Sequence, residues 1–309
     1  MNVLGIDIGA GTIKSAVFSA SGQSLVSAEA ETAGDYPALK AQLLGIMASL
    51  GAPHGVSAVG IGVPGFIAAG DGTIVRSPNM RFLDGISLQK ELTAATDLPL
   101  RVENDANAAA LGEFLALAAQ DPRGYGGHST RPDSFVHLTL GSGIGSGIIL
   151  NGRIWRGAGG YAAELGHLLV NSQGRDCGCG NRGCAETESS EAGIVKSYQE
   201  YAGSPSPLRS RDVFDRWQQG DEAAQRAFRR AGIFLGVLLA QIVYAINPER
   251  ISIGGGVAAC GDALLGPARE ELARRVVAQA CSGTTIAPAQ LGNDAGKAGA
   301  AALARQECA

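Results

Sequence analysis

Residues 4–18 read LGIDIGAGTIKSAVF and residues 136–150 read VHLTLGSGIGSGIIL, and aligning the two at an offset of 132 decides the fold. At that offset Asp7 meets Thr139, Gly9 meets Gly141 and Gly11 meets Gly143. Each stretch is an apolar run, a glycine-broken turn and a second apolar run, followed by a further turn at Ser21-Gly22 or Asn151-Gly152. That pattern predicts a β-hairpin with the next strand queued behind it. Two such hairpins at the heads of two halves imply an α/β chain of two duplicated lobes with a central cleft.

The remaining segments fit this plan. Residues 56–63 (VSAVGIGV) predict a strand ending at Pro64-Gly65, and residues 100–102 a short strand ending at Glu103-Asn104-Asp105. Residues 106–119 are alanine-rich and helical, with Asn104 or Asp105 placed to cap them. Residues 120–133 (QDPRGYGGHSTRPD) read as a long surface loop between the lobes. The expected division is therefore an N-terminal lobe, 1–119, joined by a C-terminal helix within 293–309, and a C-terminal lobe, 120–292. In the latter, the strand 251–253 is broken by Gly254-Gly255-Gly256 and followed by a helix from about 264 to 280. A long uncharged stretch, 231–248, contains Gly232, Gly236, Gln241 and Asn247 and is flanked by Arg229-Arg230 and Glu249-Arg250. It reads as a buried helix ending at Asn247-Pro248 and not as a membrane span.

Composition narrows the function. The chain has 309 residues, 45% hydrophobic and 17% charged, enough apolar surface to bury a core and to exclude disorder. Its net charge is −4 and no Lys/Arg run occurs, which disfavours a nucleic-acid partner. Gly numbers 45, roughly twice the average share of about 7%, and glycine at strand ends suits backbone approached closely by phosphate. Met1-Asn2 leads straight into Val3-Leu4-Gly5-Ile6 without a basic leader, so the expectation is a cytoplasmic protein with no membrane partner.

Four residues within one short stretch carry metal-ligand chemistry. His167, Cys177, Cys179 and Cys184 supply one imidazole and three thiols, a full set for tetrahedral structural Zn²⁺. Gly178, Gly180 and Gly183 allow a short loop to wrap the ion. Cys260, Cys281 and Cys308 are scattered and read as packing residues. His54 and His128 fall in loops and His137 in a strand, without metal partners nearby in sequence.

The glycine turns admit two readings each. Asp7-Ile8-Gly9-Ala10-Gly11-Thr12 offers backbone N–H groups and a hydroxyl to phosphate, with Asp7 near a metal, or it is simply a hairpin turn. Gly141-Ser142-Gly143-Ile144-Gly145 is a second such turn and Gly254-Gly255-Gly256 a third. None matches a P-loop or a dinucleotide fingerprint. Three of them at three strand ends favour a nucleotide site. Asp105 is either an N-cap or a general base that takes a hydroxyl proton in phosphoryl transfer.

Taken together, GIDIGAGTIK, GIGVPG (60–65), VENDANAAALGE (102–113), LTLGSGIGSGI (138–148), GAGGYAAELGH ending at His167, CGCGNRGCAE (177–186), ISIGGGV (251–257) and LGNDAGKAGAAAL (291–303) resemble the ROK (repressor, open reading frame, kinase) family over nearly the whole chain, and within it the bacterial glucokinases. The resemblance implies an actin-like ATPase (ribonuclease H-like) fold closing over ATP, Mg²⁺ and a hexose, with structural Zn²⁺. It places the catalytic base on Asp105 and sugar contacts on Gly65, Asn79, Asn104, Asp105, Glu164, His167 and Glu186. Phosphate and metal positions fall on Asp7, Gly9, Ala10, Gly11, Thr12, Thr139, Gly141, Ser142, Gly143 and Gly145, and the adenosine side on Gly254, Gly255 and Gly256. The metal ligands are His167, Cys177, Cys179 and Cys184.

The implied reaction is ATP-dependent phosphorylation of the 6-hydroxyl of a hexose, glucose foremost. Fructose, mannose, N-acetylglucosamine or N-acetylmannosamine are the alternatives, and a homodimer or homotetramer is expected. A sugar-sensing repressor is the other class in the family; such regulators carry a helix-turn-helix ahead of the first glycine turn, and only six residues precede Asp7 here. The family's Asp-x-Gly-Gly-Thr-Lys is altered by Ala10, Gly11 and Thr12, a variation shared by polyphosphate-using relatives. Those lack the cysteine cluster, so ATP is the expected donor.

Overall fold

A computed structural model describes residues 1–120, 132–203 and 208–308. The predicted 120–133 loop, His128 with it, lies outside the described residues but for its ends. In chain order the elements are β1 (Asn2–Ile8), β2 (Thr12–Phe18), β3 (Ser24–Glu31), α1 (Tyr36–Ile46), β4 (Val56–Val63), β5 (Phe66–Ile67), β6 (Thr73–Arg76), β7 (Ile86–Ser87), α2 (Leu88–Thr93), β8 (Leu100–Asn104), α3 (Asp105–Gln120), β9 (Ser134–Leu140), β10 (Ile144–Leu150), β11 (Arg153–Ile154), α4 (Ala185–Ser189), α5 (Glu191–Ala202), α6 (Ser210–Gln218), α7 (Glu222–Ile246), β12 (Arg250–Gly254), α8 (Asp262–Arg275), α9 (Ala278–Cys281), β13 (Thr285–Pro288) and α10 (Ala295–Glu307). They pack as two compact units: Met1–Arg131 with Gly147–Ala163 and Leu291–Ala309, and Pro132–Ser146 with Glu164–Gln290.

The first unit is built on a five-stranded sheet in the order β3-β2-β1-β4-β8. β1 runs antiparallel to β2 and parallel to β4, which is parallel to β8. Side chains alternate across a strand, so β1 sends Leu4, Ile6 and Ile8 to one face, where they join Val59, Ile61 and Val63 of β4 and Leu39 and Leu43 of α1. The opposite face carries Val3, Gly5 and Asp7 beside Ala58, Gly60 and Gly62. It is covered by α10, whose Ala301 and Ala304 pack on Val3 and Ala58.

Glycine sets how near α10 comes. A Cβ on Gly5 would overlap the Lys297 carbonyl oxygen, and one on Gly60 the Ala300 carbonyl. On its other side α10 touches α3, where a Cβ on Gly299 would overlap the Ala108 carbonyl oxygen. Gly5, Gly60 and Gly299 thus serve helix packing and not phosphate. Gly147, at the start of the segment of β10 that joins this unit, likewise sits 3.0 Å, measured from an added Cβ, from the Ala106 carbonyl of α3.

The second sheet runs β11-β10-β9-β12-β13, with β12 parallel to both β9 and β13. In the second unit α7 is the described helix long and apolar enough to span a bilayer, yet Phe228, Leu235, Leu239 and Ile242 are buried within the unit. Added Cβ atoms at Gly232 and Gly236 would stand 2.6 Å from the Leu264 and Ala268 carbonyls, so α7 and α8 are in backbone contact. As expected, α7 stops at Asn247, which turns left-handed at φ 48°. The helix expected over about 264–280 is two: Val276 is extended, and the Tyr244 hydroxyl donates to the Arg275 carbonyl and accepts from the Val277 N–H.

Candidate active site

The parallel strands deliver Asp7 and Asp105 to the same sheet edge. Asp7 is the penultimate residue of β1 and pairs with Gly62 of β4; Gly62 pairs with Glu103 of β8, two residues before Asp105. Ligands of open α/β sheets gather outside such carboxyl ends. Burial and, after it, the Asp105 charge push the Asp7 carboxyl up to about 6 against the opposing Lys14 and Lys297. Lys14 is the cross-strand partner of Asp7 on β2. Lys297, 8% exposed, is paired with Asp294 at 2.7 Å. Asp105 also stands above the usual carboxylate range because of burial, although backbone N–H groups, its own and that of Ala106, pull the other way.

The cap of α3 falls to the neighbour of Asp105, although Asp105 Oδ1 also accepts from the Ala106 N–H at 2.9 Å. Asn104 Oδ1 accepts from the N–H groups of Ala106 (2.9 Å) and Asn107 (3.0 Å), which makes Asn104 the cap of α3. Asn104 Nδ2 donates to the Gly65 carbonyl at 3.1 Å. Gly65 holds φ 136°, and a Cβ there would lie 2.7 Å from the Arg76 carbonyl. Ser77 Oγ donates to the Pro64 carbonyl at 2.7 Å, tying the loop that carries the exposed Asn79 to the same corner. The structure therefore brings Asp7, Gly65, Asn104 and Asp105 together in the first unit, with Asn79 at the margin.

Two residues of this corner escaped the sequence reading. Glu103, buried, accepts from the Asn104 N–H (2.9 Å), Asn107 Nδ2 (3.0 Å) and Arg156 Nε (2.6 Å), while Arg156 Nη2 donates to Glu307 of α10 at 2.7 Å. A carboxylate sealed in by three donors fixes the end of β8. The available signal was an acid at an inward position of the 100–104 strand, but its partner lies 53 residues away.

The first glycine turn is a braced hairpin: the Gly9 N–H donates to the Thr12 carbonyl (2.9 Å) and Thr32 Oγ1 to the Gly9 carbonyl (2.7 Å). Ala10, Gly11 and Thr12 are exposed, and a Cβ on Gly11 would meet nothing within 4 Å.

In the second unit His167, Cys177, Cys179 and Cys184 converge, with their ligand atoms all within 4.8 Å of one another. His167 Nδ1 is 3.6 Å from Cys177 Sγ, and Cys179 Sγ is 3.7 Å from Cys184 Sγ. A tetrahedron with Zn–S near 2.3 Å has edges of about 3.8 Å, so the four residues fit a closed zinc site. The loop turns on left-handed Gly180 and Gly183, and a Cβ on Gly183 would overlap the Asn171 carbonyl. His167 Nε2 looks the other way, 3.9 Å from Glu164 Oε2.

Glu186 follows Cys184 on α4 and accepts from the Ile144 N–H at 3.0 Å, so the acid expected at sugar rests on the turn expected at phosphate. In that turn the Gly141 N–H donates to the Gly143 carbonyl at 2.9 Å, Ser142 is exposed, and Gly145 already belongs to β10. Thr139 lies on β9 just before it. Gly254 ends β12; Gly255, at φ 86°, is required to be glycine by the Leu140 carbonyl, and Gly256 faces open space.

Residues 3–307 match the ROK family. The chain is 32% identical to a glucokinase of Halalkalibacterium halodurans, the match covering 98% of this chain and 95% of the relative. It is 31% identical to the xylose repressor of Bacillus subtilis, covering 79% of this chain and 59% of the repressor. The crystal structure of a ROK family glucokinase from Streptomyces griseus in complex with glucose and AMPPNP superposes with TM-score 0.80 at 31% identity, covering 99% of this chain and 100% of that one.

Proposed function

The chain belongs to the ROK family and has its actin-like ATPase fold, and on that premise we propose that it is a sugar kinase transferring the γ-phosphoryl group of ATP to the 6-hydroxyl of a hexose, with glucose the preferred acceptor. The observation that carries the proposal is the division of labour at the end of β8. Asn104 caps α3, and the neighbouring Asp105 keeps a proton-accepting carboxyl at the strand's end. A base whose affinity for protons is raised toward neutrality by burial suits removal of a hydroxyl proton.

The other roles are the ones the family resemblance implies. Asn104 and Gly65, bonded to each other, present a fixed edge to sugar hydroxyls. Glu164, His167 and Glu186 offer acceptors and a ring nitrogen to the hydroxyls nearer C1 and C2. The turns Gly9–Thr12 and Thr139–Gly145, with Gly254–Gly256, serve the nucleotide. Bound Mg²⁺ neutralises phosphate charge; Asp7 is the carboxylate suited to face it, being held above its ordinary pKa by burial and by Asp105 until a cation arrives. Zn²⁺, held by His167, Cys177, Cys179 and Cys184, has a structural role: four protein ligands leave no position for substrate.

The identity of the glucokinases favours glucose, while the xylose-repressor match favours a second reading, a sugar-sensing regulator. A coupled assay with glucose, mannose, fructose, N-acetylglucosamine and N-acetylmannosamine, each with ATP, GTP or polyphosphate, separates them. The expected result is the highest kcat/KM for glucose with ATP. Higher kcat/KM for an N-acetylated hexosamine overturns the glucose assignment, and tight sugar binding without turnover on any of the five supports the regulator.

A further inference from the structure

His137 of β9 and Ser252 of β12, both buried, have no part in the reaction as described above. The parallel register sets Ser252 opposite His137 and Gly254 opposite Thr139. Alternation then puts all four on one face of the sheet, with Val136, Leu138, Ile251 and Ile253 on the other. On the polar face His137, 2% exposed, lies with Nδ1 3.3 Å from Ser252 Oγ and Nε2 3.0 Å from Thr139 Oγ1. A Cβ on Gly254 would be 3.1 Å from His137 Cε1, so the ring rests against a glycine and fills the space a side chain would need.

Burial pulls the His137 pKa down to about 4, so the ring is neutral and carries one N–H and one bare nitrogen. Between two hydroxyls such a ring permits two proton arrangements. In one, Nδ1–H donates to Ser252 and Nε2 accepts the Thr139 hydroxyl proton, so Thr139 turns only lone pairs outward. In the other, the Ser252 hydroxyl donates to Nδ1 and Nε2–H donates to Thr139 Oγ1, which frees the Thr139 hydroxyl proton to point away from the ring.

We propose that His137 is a positioning residue for the nucleotide: through the chain Ser252–His137–Thr139 it holds the Thr139 hydroxyl as a hydrogen-bond donor to a phosphate oxygen. An anion selects the second arrangement, because lone pairs facing a phosphate repel it. The proposal rests on the reading of Thr139 as a phosphate contact. Gly254 has a reason to be glycine that is independent of ligand contact, since a Cβ there would lie 2.8 Å from Ala289 Cβ and 3.1 Å from the ring.

The test uses His137→Leu, Thr139→Val and the double variant, with AMPPNP affinity by calorimetry, separate KM values for ATP and hexose, and ¹⁵N spectra of the histidine rings in the wild-type complex. His137→Leu is expected to weaken AMPPNP binding about 10-fold, leave the hexose KM within about twofold, and add little to Thr139→Val. The AMPPNP-bound wild type is expected to show the His137 ring protonated at Nε2. If Thr139→Val leaves AMPPNP affinity unchanged, the phosphate-contact reading fails and the inference with it. If Thr139→Val weakens binding and His137→Leu does not, or if their losses simply add, the reading stands and the inference is overturned. Should His137→Leu fail to fold, the spectrum decides: a ring protonated at Nδ1 in the complex contradicts the proposal.

Discussion

Asp7 and Asp105 leave the ends of two parallel strands with only Gly62 between them: a Cβ on Gly62 would lie 3.5 Å from the Asp105 Cα and 3.7 Å from Asp7 Oδ1. A larger residue at 62 would fill the gap that lets the two carboxyl groups influence each other. Burial of both carboxyl groups, with the Asp105 charge acting on Asp7, is what distinguishes this corner from an ordinary strand-to-helix junction.

The first prediction concerns Asp7. Its folded pKa of about 6 lies above the ordinary 3.8, so the folded chain binds this proton more tightly than the unfolded chain. The resulting stability is full below about pH 4 and is lost as pH rises through 6. Two pH units correspond to about 3 kcal/mol at most. Asp7→Asn should therefore gain on the wild type, in the absence of ligands and metal, by about 1–3 kcal/mol between pH 4.5 and 7, while losing activity. Denaturant melts at both pH values check this, and an unchanged gap contradicts it.

Cys179→Ser removes one of the four clustered side chains proposed to hold zinc, while His167 and Glu186 flank the same loop. It should lower bound zinc, expected at about one per chain in the wild type, and raise the KM for sugar more than that for ATP. Elemental analysis with steady-state kinetics reads both. A fully active, zinc-free wild type after chelator treatment refutes the structural role.

At Gly143 a Cβ would overlap Glu186 Oε2, the movable end of a long side chain, and not a rigid backbone. Gly143→Ala should thus leave the melting temperature within a few degrees yet raise the sugar KM about 10-fold or more, by dislodging Glu186 from the Ile144 N–H. Equal KM values would show that Glu186 does not serve the sugar.

Gly299→Ala makes the opposite case. Its Cβ would overlap the Ala108 carbonyl oxygen, so α10 and α3 must separate. Overpacking of this kind costs about 1–3 kcal/mol or more, and the thermal midpoint should fall by several degrees. A midpoint equal to that of the wild type contradicts the close approach.

What the sequence disclosed was local. The hairpins were legible because each glycine-broken alternation is complete within about 15 residues, the length of the quoted runs. The convergence of His167, Cys177, Cys179 and Cys184 was legible because three thiols and an imidazole follow one another along a single loop. Contacts closed over long separations were not: Glu103 meets Arg156 53 residues on, and Gly5 and Gly60 are glycine because of α10 near the far end of the chain. His137 looked like one strand residue among others until the β9–β12 register put Ser252 beside it. The break between α8 and α9 depended on Tyr244, on another helix, bonding the two sides of Val276.

The most direct test of the account is the turnover of Asp105→Asn with its best sugar, measured beside sugar binding by calorimetry. The amide keeps the size of the side chain and leaves the cap with Asn104, but it cannot accept the hydroxyl proton. The expected result is a kcat lower by about 10²–10⁴-fold or more with a sugar Kd changed by no more than about threefold. A variant that keeps a tenth of the wild-type kcat would show that Asp105 is not the base.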